Sequence, residues 1–260
     1  MFRALIGNSR LRIASVLVVI WIAYLIVERS LQVFFIPLFS TGLVVFLDLT
    51  LTYVRKRLWY VPSSSIVTGL LIGLIISPTH STGSGQAESL STFVLAASLA
   101  VFSKHFIGGG MHRHIFNPAA FGIFVTSLLL SVPVARWAVS LHQWMILILI
   151  GASYTLYQLK RLWLPVTFLA VYGAYLFLIF GQAAAFLVLF NGTLFLFAFI
   201  MLPEPITSNA SGRWKYLFGP LVAVLTIIVG KLGVLPDAFL PALLLGNLIG
   251  FLAKTNRTFR

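Results

Sequence analysis

The residue types best suited to chemistry are concentrated in one polar stretch, which runs from Lys104 to Ala120. Three consecutive glycines, 108–110, let the backbone approach a ligand closely or fold into a membrane. Pro118 frees a carbonyl one turn earlier, and Asn117 can cap the helix that follows. A helix N-terminus offers unpaired amides to an anion or an electron-rich ring. The pattern is therefore typical of a binding site and equally of an ordinary turn before a capped helix.

Acidic residues are scarce, because the chain has only five. Asp48 lies seven residues before Arg55, which places it about 10 Å from that helix end at 1.5 Å per residue. A carboxylate at that depth in a membrane is unfavourable unless it is paired or hydrated, so it is a candidate for function. The alternative is a structural salt bridge to the basic cluster 55–57.

Glu204 is the second acidic candidate, because prolines on both sides exclude a regular helix around it. The remaining acidic residues fall in predicted outer loops, where we expect them to be solvated: Glu28, Glu88 and Asp237.

Histidine and cysteine usage argues against several cofactors. No histidine pair is spaced to bracket a bilayer within one helix, so haem is not favoured. The loop with His112 and His114 lacks further strong ligands, so no metal site is predicted. The chain has no cysteine, which excludes cysteine-ligated iron–sulfur clusters and disulfides.

The composition indicates a membrane protein. Of 260 residues, 60% are apolar and 9% are charged, whereas soluble domains carry about 25% charged residues. The net charge of +13 does not indicate nucleic acid as a partner, because the basic residues lie in short loops between apolar runs. The first apolar run lacks a small-residue cleavage site, which favours a retained helix over a signal peptide.

Apolar runs long enough to cross a bilayer predict an all-α membrane protein of about ten transmembrane helices. The predicted spans are 12–28, 33–54, 62–78, 90–107, 115–132, 143–159, 163–180, 183–202, 215–232 and 236–253. With both termini in the cytoplasm, the inner loops hold Arg3, Arg10, Arg12, Arg55, Lys56, Arg57, Lys104, Arg113, Lys160, Arg161, Arg213, Lys215, Lys254, Arg257 and Arg260. The outer loops then hold only Arg29, Arg136 and Lys231. This asymmetry follows the positive-inside rule and predicts a multi-pass protein of the inner (cytoplasmic) membrane.

Ten spans divide into two sets of five, and the odd number makes the second set inverted. We predict a first repeat at residues 1–132 and a second at 133–260, within one integral membrane domain. Span three ends in Ser77-Pro78-Thr79, and span eight ends in Pro203-Glu204-Pro205 with Thr207 close behind. Paired breaks of this kind are typical of inverted-repeat transport folds with a midplane site.

The ordered motifs resemble one family of membrane subunits. That family contains the RnfD protein of the Rnf electron-transport complex and the NqrB protein of the sodium-pumping NADH:quinone oxidoreductase. The similar stretches are Asp48–Arg57, Lys104–Ala120 with its Phe116-Asn117-Pro118-Ala119 element, Pro203–Ser208 followed by Gly212-Arg213, and Leu235–Ala238.

The resemblance implies a role in flavin-mediated electron transfer coupled to movement of Na⁺ or H⁺. It places Lys104, Gly109, Gly110, Asn117, Pro118 and Thr207 near the flavin or the pore. Lys104 would neutralise a reduced flavin, and Asp48 and Glu204 would be the ion-coupling residues. Replacement of Asp48 by Asn is then expected to abolish ion coupling and leave expression intact. No residue is predicted to act as a catalyst.

One departure from the family concerns the cofactor linkage. Family members carry a long outer loop between helices five and six, with a threonine that takes FMN through a phosphoester. Here the loop is short, about 132–143, and its only hydroxyl besides Ser131 is Ser140. We therefore expect a flavin, FMN or riboflavin, that is held without a covalent bond.

Two other functions stay open from the residues alone. The same scaffold is compatible with a non-redox channel or secondary transporter. It is also compatible with a membrane anchor for a soluble flavin or iron–sulfur reductase, docked on a basic inner face that could equally attract anionic lipid. Expected partners are membrane lipid and other electron-transport subunits or such a reductase.

Overall fold

The computed structural model describes residues 8–76, 90–108, 114–131, 135, 142–209 and 212–258. These residues form ten helices and no strand, apart from one isolated bridge between Gly108 and His114. The helices are α1 Ser9–Glu28, α2 Leu31–Lys56, α3 Ser63–Ile76, α4 Leu90–Phe106, α5 Pro118–Leu130, α6 His142–Gln158, α7 Trp163–Leu189, α8 Gly192–Leu196, α9 Trp214–Leu232 and α10 Phe239–Thr258. A π-helical turn, Phe197–Met201, continues α8. The prediction of an all-α membrane protein is confirmed.

Four helices are long and apolar enough to cross a bilayer: α1, α2, α7 and α9. Their outward faces carry large apolar side chains, such as Phe46 on α2 and Leu178 on α7, which are 64% and 83% exposed. Such a surface is stable in contact with lipid and not in contact with water.

Two shorter helical segments lie in the centre of the bundle. The helix α3 has 14 residues, or about 21 Å at 1.5 Å per residue, which is less than the bilayer core. Nearly all its residues are buried, as are those of α8 and the π-helical turn that follows. Because these segments are surrounded by protein, their ends can leave the helical path inside the bundle without exposing backbone groups to lipid.

The predicted span 183–202 is wrong as a single continuous helix. Gly181 has φ 75° and ψ 175°, so the chain turns sharply there and a second helical segment of α7 runs on to Leu189. Glycine adopts this φ without the steric penalty that a Cβ brings. The chain leaves the helix again at Phe190, and Asn191 caps α8 by accepting a bond from the Thr193 N–H at 2.8 Å.

Close helix packing fixes α3 against α2. Gly69 and Gly73 lie one turn apart on α3 and face Thr41 and Pro37 of α2 so closely that a Cβ on either glycine would collide with backbone. The hydroxyl of Ser40 donates across this interface to the Gly69 carbonyl at 2.9 Å. Small residues that let backbones approach are the usual means of helix association in membranes.

The two halves of the chain contact each other through corresponding helices. The helix α1 packs against α6, and α5 packs against α10. Within the halves, α4 packs against α5 and α9 against α10. The division into repeats at 1–132 and 133–260 stays a prediction, with which these contacts agree.

Candidate functional site

Asp48 lies at the centre of a buried polar group that we call the Asp48 cluster: Asp48, Tyr60, Ser65, Lys104 and His105. The Asp48 side chain is fully buried. Its Oδ2 accepts from Lys104 Nζ at 2.8 Å, from Ser65 Oγ at 2.5 Å and from the Tyr60 hydroxyl, and its Oδ1 lies 2.6 Å from His105 Nε2.

Helix ends assemble the Asp48 cluster. Arg57 ends α2 in the left-handed conformation, so the chain turns back and brings Tyr60 over the last turns of α2. Ser65 stands in the first turn of α3, and Lys104 and His105 stand in the last turn of α4. Arg55 Nη1 donates to the His105 carbonyl at 2.7 Å and ties α2 to α4.

The Asp48 cluster is electrically and sterically closed. A carboxylate has about four acceptor positions, and Asp48 uses that many. The ammonium of Lys104 is also engaged, because it donates to Asp48 and to Ser65 Oγ at 3.0 Å. The buried position and the charge of Asp48 raise the pKa of Tyr60, which therefore stays a neutral donor. Lys104, predicted to face a flavin, is bonded to protein groups instead.

Glu204 belongs to a second group of polar residues, which we call the Glu204 cluster: His114, Arg161, Glu204, Thr207 and Ser208. Oε1 of Glu204 lies 3.4 Å from His114 Nε2, and Oε2 accepts from the Thr207 hydroxyl at 3.0 Å. The backbone around Glu204 is irregular, as the flanking prolines predict, and the Ser208 N–H donates to the Glu204 carbonyl at 3.0 Å.

Arg161 holds this irregular segment in place. Its guanidinium donates to the carbonyls of Pro203 and Pro205 at 3.4 and 3.2 Å and to Ser208 Oγ at 2.5 Å. Burial lowers the pKa of Arg161, and the negative charge of Glu204 opposes that change. From the sequence Arg161 is only an inner-loop charge, since nothing local shows that it reaches the segment 203–208.

Asn117 connects the start of α5 to the second half of the chain. Its Oδ1 caps α5 by accepting from the Ala120 N–H at 3.1 Å, and its own N–H donates to Asn247 Oδ1 at 3.1 Å. Asn117 Nδ2 donates to the Met201 carbonyl at 3.4 Å, and Asn247 Nδ2 donates to the Thr207 carbonyl at 3.2 Å. The cap expected from the Asn-Pro pair is present, and these bonds join α5, α10 and the end of the π-helical turn.

A small cavity of about 30 Å³ lies where these elements meet. Its polar lining comes from Arg10, Ser64, Thr68, Asn117 and Glu204. A cavity needs roughly 10–15 Å³ of this measure to hold one water, so the small cavity has room for one or two. It lies beside the Asp48 cluster, because Ser64 lines it and the neighbouring Ser65 bonds to Asp48.

A large cavity of about 510 Å³ lies at the other end of α5. Its walls are mainly apolar and include Phe124, Leu128, Leu235 and Leu240, and its polar residues are Ser127, Ser131 and Asp237. The sequence does not predict this cavity, because it forms only when the end of α5 meets the turn before α10.

Asp237, at the edge of the large cavity, is not the solvated loop residue that we expected. It is half-buried, and its two carboxylate oxygens accept from the N–H groups of Phe239 and Leu240 at 3.1 and 3.2 Å, at the start of α10. Burial raises the pKa of Asp237, and the two backbone bonds partly oppose that change.

The predicted site residues are therefore distributed over two groups. Asn117, Pro118, Glu204 and Thr207 come together around the small cavity, and Lys104 joins Asp48 in the Asp48 cluster. Gly109 and Gly110 lie outside the described residues. Within the described part of the chain, no group of three or more His, Asp or Glu residues could hold a metal ion.

Comparison with known proteins confirms the family resemblance over part of the chain. Residues 138–255, which span α6 to most of α10, match the NQR2, RnfD, RnfE family. This region contains Glu204 and Thr207 and excludes the Asp48 cluster.

Individual relatives are each named as a subunit of the ion-translocating oxidoreductase complex, the one designated D. The protein of Shewanella sediminis is 42% identical over 60 residues, which are 23% of this chain and 17% of the relative. That of Klebsiella pneumoniae is 32% identical over 106 residues, or 38% and 30% of the two chains. That of Psychromonas ingrahamii is 31% identical over 90 residues, or 33% and 26%. The aligned part thus spans less than a third of the length of each of these relatives.

Proposed function

We propose that this chain is a membrane subunit of a flavin-dependent electron-transport complex and that it couples electron transfer to movement of Na⁺ or H⁺. The observation that carries the proposal is the family match over 138–255, which includes the irregular segment around Glu204. The proposal includes a position in the inner membrane with both termini in the cytoplasm. It also includes other members of the complex, or a soluble flavin or iron–sulfur reductase, as partners.

The flavin, FMN or riboflavin, would lie in the large cavity without a covalent link. A volume of about 510 Å³ falls within the ~300–1,000 Å³ usual for small-molecule sites. The apolar walls, including Phe124 and Leu240, suit a flat aromatic ring, and Ser127, Ser131 and Asp237 place polar groups at its edge. Because burial raises the pKa of Asp237, its carboxyl group favours the neutral form, which can donate a hydrogen bond. A bound flavin would supply the electron transfer, and the chain supplies position and electrostatics.

A non-redox transporter on the same scaffold is the second candidate. The break at Gly181 and the segment 203–208 favour it, because broken helices that meet at a polar cavity are typical of transport sites. The third candidate, an anchor for a soluble reductase, is favoured by the basic run 55–57 at the end of α2.

An absorption spectrum of the detergent-purified protein separates these candidates. Flavin bands that pass into the supernatant after acid precipitation would support the proposal, and bands that stay in the precipitate would indicate a covalent link. A preparation that is colourless, and stays so after flavin is added, would contradict flavin binding and favour the transporter.

A matched pair of variants tests the location of the flavin. Ser127→Phe fills the large cavity and is expected to abolish the flavin bands. Ser15→Phe makes the same change on the exposed face of α1 and is expected to leave them unchanged. Flavin bands of normal intensity in Ser127→Phe would contradict this location.

A further inference from the structure

The two buried carboxylates, Asp48 and Glu204, differ in how many of their acceptor positions are occupied. Asp48 is fully buried and accepts from Tyr60, Ser65, Lys104 and His105. A group with every acceptor position used can exchange a proton or an ion only if that network opens.

Glu204 keeps free acceptor positions and has access to the small cavity. Its side chain is 19% exposed, and it has one partner on each oxygen: His114 at a long 3.4 Å and Thr207 at 3.0 Å. The small cavity that it lines has room for one or two waters, with the hydroxyls of Ser64 and Thr68 in the walls. Glu204 can therefore pass a proton without any change in the fold.

The charges around Glu204 favour a proton over a metal cation. His114 faces it from the residues before α5, Arg161 from the turn before α7 and Arg10 from α1 across the small cavity. The charge of Lys104 on α4 also lies within electrostatic reach. A Na⁺ ion would have to enter among these cationic groups with one carboxylate as its charged ligand. A proton exchanges within a carboxylate–imidazole pair instead, the arrangement in which histidine acts as a shuttle.

We propose that His114 and Glu204 form the proton-exchanging pair of this protein and that Asp48 is the fixed counter-ion of Lys104. The proton moves between His114 Nε2 and Glu204 Oε1, and between that pair and water in the small cavity; only N–H and O–H bonds form and break. Thr207 and Arg161 are positioning residues, since they hold the Glu204 side chain and backbone. This inference rests on the proposed function and assigns H⁺ as its coupling ion.

The test is an infrared difference spectrum of the purified protein between about pH 5 and pH 8, the range over which histidine titrates. We expect carboxyl and imidazole bands that shift in D₂O, and we expect Glu204→Gln to remove the carboxyl band. The double variant Asp48→Asn/Lys104→Met should keep that band. If Glu204→Gln does not fold, His114→Gln serves in its place and should remove the imidazole band and shift the carboxyl band.

A sodium titration completes the experiment. Replacing KCl by NaCl should leave the spectrum and the melting temperature of the wild type unchanged. A sodium-dependent shift that Glu204→Gln abolishes would overturn the proposal in favour of a cation site. Loss of the titrating carboxyl band in the double variant, with retention in Glu204→Gln, would overturn it in favour of Asp48. Neither readout requires flavin, so a failure here differs from a failure of the proposed function, which the absorption spectrum reports.

Discussion

The Nζ atom of Lys104 lies 2.8 Å from Oδ2 of Asp48, although α4 and α2 place these residues 56 positions apart in the chain. Both side chains are largely withdrawn from solvent. In such a pair the loss of one partner leaves the other as a buried, uncompensated charge, and this loss is more unfavourable than removal of both.

Single replacement of either partner is therefore expected to destabilise the protein. For Asp48→Asn or Lys104→Met we expect a loss of about 3–5 kcal/mol, the usual effect of breaking a buried ion pair. The double variant Asp48→Asn/Lys104→Met should recover much of this loss. The measurement is thermal unfolding of each purified variant in detergent. The geometry thus predicts impaired folding for Asp48→Asn, where the sequence alone predicted intact expression.

Glu28→Gln is the matched control, because Glu28 is an acidic residue at the far end of α1 from Arg10. It should leave the melting temperature close to that of the wild type. Additive effects of the two single replacements would show that Asp48 and Lys104 do not stabilise each other.

The glycines of α3 provide a second prediction, on helix packing. A Cβ at position 73 would lie 2.5 Å from the Cα of Pro37 and 2.6 Å from Ser40 Oγ. Gly73→Ala must therefore push α3 away from α2, and we expect a loss of about 1–3 kcal/mol, typical of overpacking. Thermal unfolding measures the change.

Gly42→Ala is the control for that prediction. Nothing lies within 4 Å of a Cβ at position 42, and alanine is the better helix former by about 1 kcal/mol. The melting temperature should stay the same or rise. Equal losses in Gly42→Ala and Gly73→Ala would mean that α2 and α3 do not pack as described.

The sequence predicted most helices because their signals are local. Apolar runs and basic flanks located α2 from 33–54 and α9 from 215–232 within a few residues of the observed bounds. It failed over 183–202, because hydropathy does not distinguish one continuous apolar helix from two segments separated by a turn. The turn at Gly181 and the cap at Asn191 depend on backbone angles, and a glycine is compatible with either outcome.

The candidate site was predictable only where neighbouring residues define it. The cap at Asn117 and the irregular backbone at Glu204 follow from their own prolines. The contacts of Asp48 with Ser65 and Lys104, and those of Arg161 with 203–208, join distant parts of the chain. Burial and helix position determine such partners, and neither is visible in residue spacing alone. The sequence therefore predicted the two carboxylates and missed what each one bonds to.

Arg161 provides the third prediction, on the segment that carries Glu204. Arg161→Lys keeps the positive charge but loses the planar fork that reaches two carbonyls and a hydroxyl at once. The segment 203–208 should then open more often, since its carbonyls lose their donors. Hydrogen–deuterium exchange should show faster exchange across 203–208, at the Ser208 N–H above all. Lys160→Gln, at the exposed neighbouring position, should leave the exchange unchanged; equal rates in Arg161→Lys and wild type would contradict the role given to Arg161.

The raised pKa of Asp237 gives the last prediction, on pH dependence. An ordinary aspartate titrates near pH 3.9, and burial raises the value in the folded protein. Between the two values the folded state binds more protons than the unfolded state, so the contribution of Asp237 to stability is present at low pH and is lost as the pH rises through the raised pKa.

Asp237→Asn removes this titration and keeps an oxygen that can cap α10. The wild type should therefore lose melting temperature relative to Asp237→Asn as the pH rises from about 4 towards neutrality, and the difference should then become constant. Thermal unfolding of both proteins across this range measures the effect. A difference that grows in the opposite direction, with the wild type gaining stability as the pH rises, would mean that hydrogen bonds to the carboxylate outweigh its burial and that Asp237 faces the large cavity as an anion.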